Sequence, residues 1–212
     1  MSRGVASRAS KVRRCAGKPV PVLVPPEIRL RISTKDFEAL CRENPDLRLE
    51  RSARGVLEVM SPASASTGGR NAILTARIVM WALEDGTGKA FDSSAGFTLP
   101  NTAVTAPDAS WIASERWNRV VAENQADTFA LICPDFIAEL RSKTDGVREL
   151  RKKMLQFISQ GTRLGWLIDP YRGVVEIYRP GRVVEILDRP SMLSGEGVLP
   201  GLVLDLRGIL VD

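Results

Sequence analysis

The segment from Phe136 to Ile168 constrains the fold of this 212-residue chain more than any other. Phe136-Ile137-Ala138-Glu139-Leu140 is apolar but for one carboxylate and reads as a strand buried on both faces. Asp145 to Gln160 follows. There Val147, Leu150, Met154, Phe157 and Ile158 fall at i, i+3, i+7, i+10 and i+11, one stripe of an amphipathic helix, and Gly161 stops it. Leu164 to Ile168 is again apolar. Strand, helix, strand is the unit a parallel crossover needs, and a chain that carries one is committed to a sheet with helices on its faces.

The rest of the chain agrees with that architecture. Ser33 or Thr34 can cap a short helix through Phe37, Leu40 and Cys41, and Asn44-Pro45 ends it. Leu47 and Leu49, then Val56, Leu57 and Val59, flank a turn at Ser52 to Gly55 and predict a hairpin. A long helix is expected from about Gly69 to Glu84. Strands are expected at Ala90 to Ser93, Gly96 to Leu99, Ala109 to Ala113, Val174 to Tyr178 and Val183 to Leu187. Ser114 is placed to cap a short helix through Trp117 and Val121, and Gly195 to Leu206 reads as turns and one more strand. The expected fold is α/β, a mixed sheet core with flanking helices, forming one domain over residues 27–212.

Residues 1–26 read differently. Arg3, Arg8, Lys11, Arg13, Arg14 and Lys18 occur with no acid among the first twenty residues, and a Pro-rich stretch from Pro19 to Pro26 follows. This basic tail suits either non-specific phosphate contact or an unstructured leader. Without those six charges, 24 basic residues face 25 acids, so the body is close to neutral. No apolar run approaches the roughly 18 residues that cross a bilayer, and the tail lacks the apolar core of a secretion signal. Cys15, Cys41 and Cys133 are scattered without CxxC spacing, which fits reduced thiols in a cytoplasm, Cys41 and Cys133 serving as core residues.

The chain contains no histidine. That excludes a Ser-His-Asp triad, a Cys-His pair, a His-ligated zinc and a histidine base. Hydrolysis, if any, rests on carboxylates, lysines, arginines, hydroxyls or metals. Three acids stand at the edges of apolar strands: Asp108 before Ala109-Ser110-Trp111-Ile112, Glu139 within its strand, and Asp169 after Trp166-Leu167-Ile168. A carboxylate so placed is costly unless paired, hydrogen-bonded or metal-bound. For Glu139 the bland alternative is a buried salt bridge to Arg141, Arg151 or Lys153. On the helix after Glu139, Lys153 falls about 90° from the centre of the apolar stripe, while Lys152 falls nearly opposite it. Lys153 can therefore lay its stem on the sheet and present its ammonium at the sheet edge. Two carboxylates and a lysine there suit metal-dependent phosphodiester hydrolysis, which needs hard oxygen ligands for Mg²⁺ or Mn²⁺ and a lysine on the attacking water or the developing oxyanion. Trp81, Trp111, Trp117 and Trp166 read as packing residues rather than base-stacking ones. Arg141 and Arg70 are candidate phosphate clamps.

Pro107-Asp108, then Glu139, then a lysine resembles the PD-(D/E)XK nuclease superfamily. More closely, the chain resembles the Uma-two family of restriction-endonuclease-like proteins. The stretches that carry the likeness are LRLE at 47–50, GGRN at 68–71, FDSSAGFTLPN at 91–101, PDASWIASERW at 107–117 and CPDFIAELRSKTD at 133–145, continued by RKKMLQFISQGTRLGWLIDP, VEIYRPG and LSGEGVLPGLVLDL. The likeness spans roughly residues 33–206. It implies a restriction-endonuclease-like sheet core, a divalent metal held by Asp108 and Glu139, Lys153 as the family's helix-borne lysine, and DNA as substrate. Glu50 matches an acid that completes the site, and reads equally well as a surface strand residue beside Arg48 and Arg51. Superfamily members often dimerise to cut both strands, so a homodimer is compatible with the likeness. No organic cofactor is implied. The chain departs from the superfamily at the E-x-K slot, which holds Arg141, and from the family after Ser142, where Lys143 replaces a proline. It also reads SPASASTG at 61–68. The principal expectation is a Mg²⁺-dependent DNA endonuclease. The alternatives are a nucleic-acid-binding or assembly protein that keeps the fold but cleaves nothing, which the near-neutral body favours, and a hydrolase of some other phosphoester.

Overall fold

A computed structural model describes residues 28–210. The basic tail, the Pro19–Pro26 linker and Cys15 lie outside the described residues.

Helix α1 (Thr34–Glu43) is capped by Ser33, whose Oγ accepts from the Asp36 N–H at 3.1 Å. Strands β1 (Arg48–Arg51) and β2 (Leu57–Met60) form the expected hairpin, with Gly55 supplying the positive φ of 78° in its turn. Helix α2 (Ala65–Asp85) starts a turn earlier than its apolar pattern suggests, because Ser64 caps it through the Thr67 N–H at 3.3 Å. Strands β3 (Gly88–Asp92), β4 (Phe97–Thr98), β5 (Val104–Thr105) and β6 (Ala109–Ala113) follow. Helix α3 (Ser114–Ala122) includes Ser114 as its first residue rather than as its cap. That position belongs to Ala113, which has no side chain to offer.

Next come β7 (Phe136–Leu140), α4 (Val147–Gln160), β8 (Leu164–Asp169) and β9 (Val174–Tyr178). The α4 helix begins two residues later than expected, since the Asp145 carboxylate is taken by the Ser142 N–H at 2.8 Å. The remaining strands are β10 (Glu185–Asp188), β11 (Met192–Ser194) and β12 (Val203–Asp205); β12 is the strand expected between Gly195 and Leu206, and it pairs with β11, which lies just before that stretch.

The main sheet has six strands in the order β10-β9-β8-β7-β6-β3. Among the described residues its one parallel pair is β7 with β8, joined by α4 as the crossover requires. A four-stranded sheet, β2-β1-β5-β4, lies beside it in the fold. Alternation along each strand sorts the main sheet into two faces. Trp111, Phe136, Ala138, Trp166, Ile168 and Val175 join Leu74 and Ile78 of α2 and the C-terminal leucines in the larger core. Ile137, Leu167 and Tyr178 meet Met154 and Phe157 of α4 on the other face. Gly165 allows that close seating, since a Cβ there would lie 2.7 Å from the Met154 methyl.

Candidate active site

Alternation places Glu139 on the α4 face, between neighbours that all serve the core. Only 4% of Glu139 is exposed. Asp108 precedes Ala109, which pairs with Ala138, so its carboxylate arrives at the same end of the same face. There its Oδ2 accepts the Leu140 N–H at 2.8 Å. Lys153 descends from α4, and its Nζ lies 2.9 Å from Glu139 Oε1. The same ammonium donates to the Ala106 carbonyl at 3.0 Å and to Glu50 Oε1 at 3.2 Å. Glu50 comes from β1 in the other sheet and is fixed there by the Thr105 hydroxyl at 2.7 Å and the Ala106 N–H at 3.2 Å.

The four expected residues therefore converge where the two sheets meet. Lys152 points away and pairs with Glu149 on the exposed side of the helix. Lys143 is exposed in the turn after β7. Arg141 is committed to Asp169, its NH1 donating at 3.1 and 3.2 Å, so the third strand-edge acid and the candidate phosphate clamp satisfy each other outside the cluster. Arg70 is half-buried on α2. Trp111 and Trp166 are buried as expected, whereas Trp117 is only half-buried. Cys133 is a core thiol, but Cys41 is half-buried rather than enclosed. No motif in the sequence marks Thr105 or Arg48 as part of the site. Thr105 lies in a two-residue strand too short to show a period. Arg48 stands two residues before Glu50, and strand alternation alone puts both on one side.

The Lys153 ammonium pairs with Glu139 and Glu50, and the proton affinities of Glu139, Asp108 and Lys153 are shifted. Burial raises Glu139 most, Asp108 and Glu50 add to that, and Lys153 opposes; the carboxyl is pushed up to about 8. Burial also raises Asp108, against the Leu140 N–H and Lys153. For Lys153 burial works to lower the value, but Glu139, Glu50 and Asp108 overcome it and hold the group charged well above the ordinary lysine range. Glu58 sits directly across from Glu50 and is raised by burial and by that carboxylate.

Among the described residues no three Cys, Asp or Glu side chains form a ready-made metal cage. Glu139 Oε1 is nonetheless buried with no hydrogen-bond donor aligned on it, the nearby ammonium being an ion-pair neighbour at 2.9 Å. Two desolvated carboxylates, Glu139 and Asp108, whose nearest cation is also shared with Glu50, fit a hard cation that retains several of its own waters. The absence of histidine makes the pair a poor seat for softer metals.

Residues 34–207 match the model of the Uma2 family, described as "Putative restriction endonuclease". The chain belongs to the Uma2 family. Its fold is also similar to the crystal structure of a "putative nuclease" from Anabaena variabilis, with a TM-score of 0.70 and 23% identity over 84% of this chain and 97% of that one. A cryo-EM structure of a DrdV–DNA complex shows a slighter likeness, with a TM-score of 0.37 and 16% identity over 57% of this chain and 10% of that one. No curated protein matches the chain. Among the described residues no helix of this Uma2 member is long and apolar enough to cross a membrane.

Proposed function

We propose that this Uma2 member is a Mg²⁺-dependent endonuclease that hydrolyses DNA phosphodiester bonds. The observation that carries the reading is the single ammonium of Lys153 at 2.9 Å from Glu139 and 3.2 Å from Glu50, with the Asp108 carboxylate held by the Leu140 N–H within the electrostatic reach of both Lys153 and Glu139. Asp108 and Glu139 would hold the metal, which, when bound, lowers the pKa of a coordinated water and neutralises phosphate charge. The Leu140 N–H fixes Asp108 in place. Thr105 and Ala106 fix Glu50, which in turn anchors Lys153. The raised proton affinity of Lys153 makes it a charged donor rather than a base, suited to hold the attacking water and to stabilise the oxyanion that develops on phosphorus.

The second reading, a non-cleaving nucleic-acid-binding or assembly protein, draws on the near-neutral body and on the Lys153–Glu139 pair, which by itself is also an ordinary buried ion pair. Incubation of the purified protein with plasmid and single-stranded DNA, in Mg²⁺, Mn²⁺ or EDTA, separates the two. The nuclease reading expects metal-dependent nicking that disappears in Glu139→Ala and Lys153→Ala. A folded protein that cuts neither DNA in either metal would leave the second reading standing.

A further inference from the structure

Helix α2 is apolar on two opposite sides. Leu74, Ile78 and Ala82 face the main sheet and are buried. On the side turned to solvent, Ala65, Gly69, Ala72, Ala76, Met80 and Leu83 recur at i, i+4, i+7, i+11, i+15 and i+18, and all six are exposed. At 100° per residue they fall within an arc of about 80° that lies opposite the core residues. Met80 is 62% and Leu83 79% exposed. The charged residues of the helix, Arg70, Arg77, Glu84 and Asp85, all fall outside this arc. A surface helix ordinarily turns its charged side chains outward. An exposed stripe with large apolar residues and no charge has instead the composition of the centre of an interface.

We infer that this face of α2 packs against the same face of a second copy of the chain, the two helices running antiparallel about a two-fold axis near Ile78. Two observations choose that occupant. The first is shape. The stripe is small along its first half and large at its C-terminal end. An antiparallel copy sets Ala76 opposite the partner's Met80 and Ala72 opposite the partner's Leu83, and the axis repeats both contacts. A parallel copy would set large on large and small on small. The second observation is charge. Arg70 and Arg77 precede Glu84 and Asp85, with no acid in the first turn and no base in the last. Acids in the last turn run against the helix's own dipole, whose C-terminal end is negative. An antiparallel copy brings its basic, N-terminal half alongside each acidic end. A lipid surface is the poorer occupant. Membrane-surface helices rim their apolar face with Lys and Arg, whereas α2 has only two arginines, and Arg77 is turned to the carbonyls of Asp205 and Arg207. The overlap from Gly69 to Asp85 is roughly 26 Å long. That covers less than the about 800 Å² per partner of a standard interface, so the dimer is a weak one. The inference is independent of the nuclease reading, since α2 covers the face of the main sheet opposite that of Glu139.

The test is sedimentation velocity of the full chain over a range of concentrations up to about 200 µM, without DNA. The sedimenting species should pass from the 23.2 kDa monomer to twice that mass, with a Kd on the order of 10 µM. Ala76→Glu and Leu83→Glu, each at an exposed position, should fold as the wild type does and raise the Kd by about a hundredfold. Leu155→Glu, which changes an exposed leucine of α4, should leave the Kd unchanged. Adding Met80→Lys to Ala76→Glu should recover about tenfold, because the antiparallel register sets each introduced ammonium opposite an introduced carboxylate across the axis. A parallel pair would gain nothing from it. A monomer at the highest concentration, or a dimer untouched by Ala76→Glu and Leu83→Glu, overturns the inference. So does a monomer that instead floats with phosphatidylcholine vesicles and loses them in Leu83→Glu, which would give the face to a lipid surface. A double variant that recovers nothing overturns the antiparallel packing.

Discussion

Glu139 and Glu176 occupy one row of the main sheet, each opposite Leu167 of β8, and each lies under α4 with at most 4% of its surface exposed. Their surroundings could hardly differ more. Glu176 receives both Arg151 Nε contacts at 3.0 Å and the Tyr178 hydroxyl at 2.7 Å, with Arg172 at 3.9 Å behind them. Burial works to raise its proton affinity, but Arg151 and Tyr178 overcome it and the value is lowered. Glu139 has one ammonium that also serves Glu50 and a carbonyl, two carboxylates for neighbours, and an oxygen on which no donor is aligned. A buried carboxylate with its bonds made is structure. One whose bonds are short of its needs is where the proposed cation would be held.

The largest expected effect breaks the two apart by substitution. Glu139→Gln should abolish metal-dependent cleavage yet leave stability near neutral pH little changed, since burial already keeps this carboxyl largely protonated below about 8 in the metal-free fold. Lys153→Ala should reduce cleavage by roughly a hundredfold or more, the scale of a lost oxyanion donor. Glu176→Ala should do the opposite. It strands Arg151 and the Tyr178 hydroxyl, costs about 3–5 kcal/mol in urea denaturation, and spares cleavage per folded molecule. Equal loss of stability from Glu139→Gln and Glu176→Ala would erase the distinction drawn here.

That contrast also measures how far the sequence can be read. The crossover from Phe136 to Asp169 was legible because its periods are long and unbroken, and the acid inside an apolar strand was conspicuous for the same reason. The flank position of Lys153 follows from helix geometry alone, and the helix does deliver it to Glu139. Resemblance, rather than residue pattern, set Glu50 beside these three. Its place depends on a two-residue strand, β5, and on contact between two sheets, neither of which leaves a periodic trace. Glu176 shows the complementary blind spot. An acid in Val174-Val175-Glu176-Ile177-Tyr178 looks like Glu139 on paper, and only the fold reveals that Arg151, two residues before Lys153 on α4, neutralises it.

Metal titration sharpens the comparison at smaller scale. If Asp108 and Glu139 hold Mg²⁺, then Mg²⁺ at a hundredfold excess over its Kd should stabilise the folded chain by about 2.7 kcal/mol, read as a rise in thermal midpoint. The rise should vanish in Asp108→Ala and in Glu139→Gln and persist in Glu176→Gln. A rise that survives loss of both Asp108 and Glu139 would place the ion elsewhere.

The dependence on pH is the most discriminating, because the two carboxylates should give stability opposite trends. Glu139 is raised from 4.5 to about 8 in the folded chain. Between those values the folded state binds a proton that the unfolded state has released, so this group's contribution falls as pH rises from about 4.5 to about 8. Glu176 is lowered from 4.5. Its contribution is present above the unfolded value and is lost as pH falls through the folded one. Urea midpoints measured in metal-free buffer from pH 3 to pH 9 should therefore show Glu139→Gln flattening the decline on the neutral side and Glu176→Gln flattening the loss on the acid side. Mg²⁺ should shift the wild-type profile toward that of Glu139→Gln, since a cation takes over the charge that the proton otherwise covers. If both variants flatten the same limb, the two glutamates share one electrostatic environment, and the case for a site at only one of them fails.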